Sequence, residues 1–148
     1  MTNQISKVFG EVPRGLDEFI AASQIVQAEA KKYFIEFWRT GRPYRSGILW
    51  RNLRDGWPIL SDAAVDCCFS KKLAYCYIKR AQENAMVSAN DDLEITGVND
   101  SFKPVSGEVR ITDAESGEKL FEKNSKSPRT ARRHWAESPK RPRSGECF

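Results

Sequence analysis

The sequence predicts an α/β unit running into an antiparallel β unit, with a basic tail that lacks the means to order itself. Three observations carry this. Apolar residues at helical spacing between Leu16 and Trp38 precede a short apolar run at 47–52 and a second helical stripe over 73–81, giving the order helix, strand, loop, helix. Beyond about residue 84 the apolar period becomes two, as in strands with one buried face. From Asn124 the periodicity vanishes and Ser, Pro and Arg dominate, so too little surface is available to offset the ordering entropy. The predicted segments are therefore 1–84, 85–123 and a disordered tail, 124–148.

Residues 1–14 read as an irregular lead-in, punctuated by Gly10 and Pro13. The first helix takes Leu16, Phe19, Ile20, Val26, Ala30, Tyr33, Phe34, Phe37 and Trp38 as its apolar face, with Lys31, Lys32 and Glu36 on the solvated side. Asp17 and Glu18 favour its positive end, and Gly41 with Pro43 ends it. The strand Gly47–Asn52 follows, alternation placing Ile48, Trp50 and Asn52 on one side and Leu49, Arg51 and Leu53 on the other. Which side faces inward is open at this point. A loop runs on to about Asp66, and Ser70 is the predicted N-cap of a second helix bearing Leu73, Ala74, Tyr77, Ile78 and Ala81. Lys71 and Lys72 sit awkwardly near its positive end. Strands are predicted at Met86–Ser88, Leu93–Asn99, Glu108–Thr112 and Lys119–Glu122, the last pair joined as a hairpin through the turn-rich Asp113–Glu118. That order of helix and strand suits the last turn of a parallel α/β fold, where ligands gather beyond the carboxyl ends of strands.

At 148 residues the length favours one modest core. The net charge of +4 is uneven, because the last 26 residues hold eight Lys/Arg against Glu137 and Glu146 and the body is slightly acidic. No run approaches a membrane span and the N-terminus lacks a signal-peptide layout, so the sequence as written is expected in the cytoplasm. Cys67, Cys68, Cys76 and Cys147 show no metal-binding spacing, and with only His134 they cannot complete a zinc set, so reduced thiols are expected. Asp62 and Asp66 lack further oxygen ligands for a metal. Asn99-Asp100-Ser101 matches a glycosylation sequon that needs a secretory route to matter.

The run Gly47-Ile48-Leu49-Trp50-Arg51-Asn52-Leu53-Arg54-Asp55-Gly56-Trp57-Pro58 resembles the eighth barrel strand of glycoside hydrolase family 2, the β-mannosidase/β-galactosidase family, with its Gly-x-x-aromatic-Trp-Gln/Asn-Leu-x-Asp-x-Trp-Pro pattern. The similarity extends through Phe9–Pro13, Ala21–Gln24, Ser61–Asp66, Lys71–Tyr75 and Val98–Asp100, covering residues 8–123. It implies the last strand and helix of a (β/α)8 TIM barrel, then the opening of an immunoglobulin-like β-sandwich, of which only about four of some seven strands can be counted. The expected identity is a C-terminal fragment of such an enzyme, cut short after residue 123 as a truncated or frame-shifted gene would be.

The resemblance also implies a retaining glycosidase with two catalytic carboxylates, at the ends of the fourth and seventh barrel strands, and neither metal nor organic cofactor. Both positions fall upstream of this sequence, so no catalytic residue is assigned and the chain alone is expected to be inactive. Glu11, in Phe-Gly-Glu, reverses the order found around family nucleophiles and reads as a loop carboxylate. The substrate-binding candidates are Trp50, Asn52, Asp55 and Trp57. The indoles can stack on sugar faces or pack in the core; Asn52 and Asp55 can bond sugar hydroxyls, while Asp55 before Gly56 equally suits a turn. Arg51 stands where the family has its Trp, and it cannot form the same apolar wall. The implied partners are a β-linked glycoside and, if the barrel is divided, a separate chain bearing the first seven strands. The other reading is an interaction module whose basic tail (Arg129, Arg132, Arg133, Lys140, Arg141 and Arg143, with Trp135) binds nucleic acid or another polyanion weakly, though no nucleic-acid-binding motif accompanies it.

Overall fold

The structure is a computed structural model that describes residues 1–41, 44–90 and 94–128, together with the backbone of 131–135. Two compact units divide the chain, Met1–Glu83 and a second beginning at Asn84.

The first unit is helical. Helix α1 (Thr2–Phe9) occupies ground read in the sequence as irregular. Its one fully buried side chain is Ile5, too little apolar surface to register as a stripe. Gly10 closes it at φ 81°, a left-handed conformation that glycine adopts without a Cβ penalty, and its N–H bonds Ser6 O at 2.9 Å. Helix α2 (Leu16–Thr40) forms as the apolar spacing predicts, with Asp17 and Glu18 in its first turn.

The buried face of α2 is rotated from the predicted one. Ala28 and Ile35 enter the core, flanked by partly covered Gln24, Gln27, Lys31 and Trp38, whereas Leu16, Ile20, Tyr33, Phe34 and Phe37 remain exposed. The aromatic stripe is the more hydrophobic face, but it is not the one that α3 (Leu73–Ala81) meets. Ala28 shares its buried cluster with Ala74 and Ala81 of α3, alongside Ile35 and Ile78, and small side chains let two helices approach closely.

Helix α3 is not capped by Ser70. Its first residue is Leu73, whose N–H donates to Gln24 Oε1 of α2 at 3.1 Å, so the cap comes from a neighbouring helix. Its last turn is closed by Arg39, which donates to Ala81 O and places a cation at the negative end.

Between α2 and α3 the segment 45–53 belongs to no sheet among the described residues and bends at 51 and 53, which corrects the predicted strand Gly47–Asn52. A parallel strand depends on neighbours on both sides for its ladder, and here the only parallel partner among the described residues is the bridge Arg54–Val65. The side-chain alternation nevertheless holds. Ile48 and Trp50 pack against the core of Ala28, Ile35, Ala64, Ala74, Ile78 and Ala81, while Leu49, fully exposed, and Leu53 point away.

The second unit contains antiparallel sheets that fit a β-sandwich. Strands β1 (Ala85–Ala89) and β2 (Ile95–Asn99) pair from Ala85–Asn99 to Ala89–Ile95. Strands β3 (Val105–Thr112) and β4 (Lys119–Ser127) form the predicted hairpin. Its turn is built on Asp113, whose Oδ1 accepts from Ser116 N at 2.7 Å and Glu115 N at 3.0 Å, with Gly117 at φ 71°. The Ser116 N–H lowers the carboxyl pKa of Asp113 first among its causes. Leu93, the predicted start of β2, lies outside the described residues.

The predicted disorder of 124–148 is corrected over its first part. Strand β4 continues to Ser127, and β5 (Ala131–Trp135) pairs with β2 from Ile95–Trp135 to Asn99–Ala131. Backbone pairing to an existing strand supplies order without the apolar alternation a sequence reading looks for. The basic residues Arg129, Lys140, Arg141 and Arg143 lie outside the described residues. An open cavity of about 200 Å³, lined among others by Met86, Val98, Val105 and Val109, remains amid β1–β4.

Candidate functional site

The candidate site is the polar end of the segment that follows α2, residues 50–57, together with the loop 59–66 that folds back on it. Backbone bonds fix the two together. Ala64 N donates to Asn52 O at 3.3 Å, Val65 N to Leu53 O at 3.0 Å, and Asp55 N to Val65 O at 3.0 Å. On the far side Lys72 N donates to Ala64 O at 3.0 Å, tying the loop to the start of α3. Gln27 of α2 adds a bond from Nε2 to Ala63 O at 3.3 Å. Ala63 and Ala64 are fully buried, which lets three elements converge on them.

Asp55 is the centre of this arrangement. It is 4% exposed, and its Oδ2 lies 2.9 Å from Lys72 Nζ. Its Oδ1 accepts from Ser61 Oγ, and that same oxygen of Ser61 accepts from Ala63 N at 3.0 Å. The Ser61 hydroxyl, then the Lys72 ammonium, hold the Asp55 carboxyl below the usual carboxylate range. A carboxylate so held stays ionised at neutral pH and cannot serve as a proton donor. Lys72, expected as an awkward charge near the start of the helix, is instead largely buried against its partner. Neither Ser61 nor Lys72 was singled out as a partner of Asp55 in the sequence, since ion pairs between distant loops leave no local pattern.

The other predicted residues separate. Trp50 turns to the helical side, half-buried, with Lys31 Nζ 4.9 Å from its ring centroid. Asn52 is half-buried beside Asp55's loop, and its Oδ1 accepts from Arg51 Nε at 3.2 Å. The Arg51–Asn52 peptide bond is cis. Trp57 is 67% exposed, and Arg51 is exposed beside Leu49 and Leu53. Two faces result. One, with Ile48 and Trp50, is packed on the helices; the other presents Leu49, Arg51 and Leu53 outward. Glu11 lies exposed in the loop after α1. Asp62 is exposed, while Asp66 spends its Oδ1 on the N–H groups of Cys68 and Ser70, both at 2.8 Å. Among the described residues there is no group of three or more His, Cys, Asp or Glu that could hold a metal ion. Among the same residues no helix is long and apolar enough to cross a membrane.

Comparison with solved structures shows what the chain is similar to. The β-D-mannosidase of Dictyoglomus thermophilum superposes with a TM-score of 0.80 and 26% identity, over 95% of this chain and 18% of that one. The chain is built like glycoside hydrolase family 2. The exo-chitosanase of Amycolatopsis orientalis, another member, gives a TM-score of 0.71 at 18% identity, over 89% of this chain and 17% of its own, a likeness of fold alone. No protein-family model matches the sequence, and no curated protein matches it significantly. This chain spans under a fifth of the length of these family 2 enzymes, and the likeness runs through both of its units.

Proposed function

We propose that this chain is the closing strand and helix of a family 2 glycosidase barrel together with the first part of the β-sandwich that follows, from a retaining enzyme acting on β-linked glycosides of the β-mannoside type. The observation that supports this best is the two-faced segment 48–53. A strand of a (β/α)8 barrel sends one set of side chains to the surrounding helices and the other to the barrel axis. Here Ile48 and Trp50 take the helical side, which assigns Leu49, Arg51 and Leu53 to the axial side.

On this reading the four binding candidates take different parts. Trp57, exposed past the end of the strand, is the one free to stack on a sugar. Asn52 and Asp55 shape the rim, Asp55 through Ser61 and Lys72 rather than by direct contact with a hydroxyl. Trp50 supports the strand from behind. The catalytic carboxylates belong to barrel strands outside these residues, and the buried, ionised Asp55 cannot replace the proton donor that the two-carboxylate mechanism needs. The axial position of Arg51 further removes an apolar wall from the subsite.

The purified chain is therefore expected to be inactive. Incubation with 4-nitrophenyl β-mannoside and β-glucosaminide should release no nitrophenol above a heat-treated control. Turnover that persists through a final chromatographic step would overturn the proposal.

A further inference from the structure

Cys67 and Cys68 stand apart from the site just described, in the tight turn that leads to α3. Their sulfurs lie 3.8 Å apart, Cys67 half-buried and Cys68 exposed. The turn that presents them is fixed at both ends. Asp66 Oδ1 accepts from Cys68 N and Ser70 N, each at 2.8 Å, and Asp66 N donates to Ser70 O at 3.0 Å. Phe69, at φ 66°, closes the turn, with the Arg54 guanidinium 4.3 Å above its ring. The two thiols are thus held on one side of a short, braced loop before anything binds.

We infer that the Cys67–Cys68 turn is a two-thiol site for a trivalent arsenic centre carrying one organic substituent. Three features of the geometry select this class. A direct disulfide is disfavoured, because adjacent Cα atoms stand ~3.8 Å apart, closer than the ~4.4–6.8 Å that disulfides span. One atom bound to both sulfurs at ~2.3 Å, the length of a zinc–thiolate bond, would subtend an S–X–S angle of about 110° at the observed separation. That bend fits a pyramidal or tetrahedral centre and not a linear two-coordinate one. Tetrahedral zinc would need two further protein ligands, and among the described residues no third His, Cys, Asp or Glu joins the pair. A monosubstituted trivalent arsenic needs two sulfurs and no more.

The reaction balances without an oxidant. An organoarsine oxide condenses with the two thiols, forming two As–S bonds, while the oxide oxygen leaves as water with the two thiol protons. Burial, then the hydrogen bond to Cys68, push the Cys67 thiol up, so Cys67 enters the condensation as a neutral thiol and supplies one of the two protons of the departing water.

The test uses the reduced full-length chain with phenylarsine oxide, read by intact-mass spectrometry and competition with thiols. One phenylarsine per chain is expected, surviving excess 2-mercaptoethanol and released by a dithiol. Because closing the second As–S bond is intramolecular, Cys67→Ser and Cys68→Ser should each weaken retention by about 10²–10⁴-fold. The double variant Cys76→Ser/Cys147→Ser should retain the adduct as the wild type does. Cys68 is exposed, so circular dichroism of Cys68→Ser should match the wild type, and its loss of the adduct then reports the site itself. Retention unchanged in Cys67→Ser or Cys68→Ser, or lost in Cys76→Ser/Cys147→Ser, would overturn the inference.

Discussion

Lys72 reaches back 17 residues to place its Nζ 2.9 Å from Asp55 Oδ2, where the two side chains are 18% and 3% exposed. The pair joins the end of the segment 45–55 to the entrance of α3, and Ser61 fills the remaining side of the carboxylate. Removing one partner strands the other charge in a poorly solvated place. Lys72→Met and Asp55→Asn should each lower the thermal midpoint by several degrees. The double variant should lose less than the two single losses combined, as coupled groups do. Additive losses in thermal scans would show the contact to be without energetic consequence.

Acid should loosen both units, and the sign follows from the depressed carboxyl groups. Asp55 has a folded-state pKa below its ordinary 3.8, so its contribution is complete above that value and fades as pH falls through the lower one. Glu122, held chiefly by Lys119 and then by its other neighbours on the hairpin, titrates at about 2 against an ordinary 4.5, so its contribution is lost between those values. Asp55→Asn and Glu122→Gln should each flatten the acid limb of the stability curve. Proton titration by NMR would check both; a Glu122 midpoint near 4.5 would contradict the hairpin network.

Asn99 closes the β-sheet unit. It is 1% exposed, donates from Nδ2 to Lys103 O at 2.9 Å and Pro128 O at 3.0 Å, and accepts from Ser101 N at 3.0 Å. Asn99→Ala removes these bonds from a buried side chain and should cost about 1–3 kcal/mol in denaturant unfolding.

The two faces of residues 48–53 should differ in energetic weight. Trp50→Ala removes packing from the helical core and should cost more than about 1 kcal/mol, whereas Leu49→Lys and Leu53→Lys should stay within about 0.5 kcal/mol in the isolated chain. Equilibrium unfolding in urea distinguishes them. The reverse ranking would mean that the axial and helical sides have been exchanged.

How far the sequence foretold this depends on the range of each interaction. The alternation at Ile48–Leu53 and the Asp113 turn were legible because both are local. The extent of α2 was legible too, but its buried face was not, since small Ala28 joins the buried cluster while the aromatic stripe carries the hydrophobicity. The cap of α3 comes from Gln24 and the partner of Lys72 from Asp55, contacts 49 and 17 residues apart in sequence. No spacing rule reaches so far. Strand β5 was missed for a different reason: it is held by backbone pairing to β2, and a segment rich in Arg carries no apolar signature of that.

The assignment of Leu49, Arg51 and Leu53 to the barrel axis is tested most directly in a chimera. The region of the Dictyoglomus β-mannosidase that superposes on this chain would be replaced by it, and 4-nitrophenyl β-mannoside hydrolysis compared with and without Arg51→Trp. A Trp facing the subsite should raise kcat/KM by about tenfold, the equivalent of about 1.4 kcal/mol. Identical kcat/KM in two folded chimeras would contradict it.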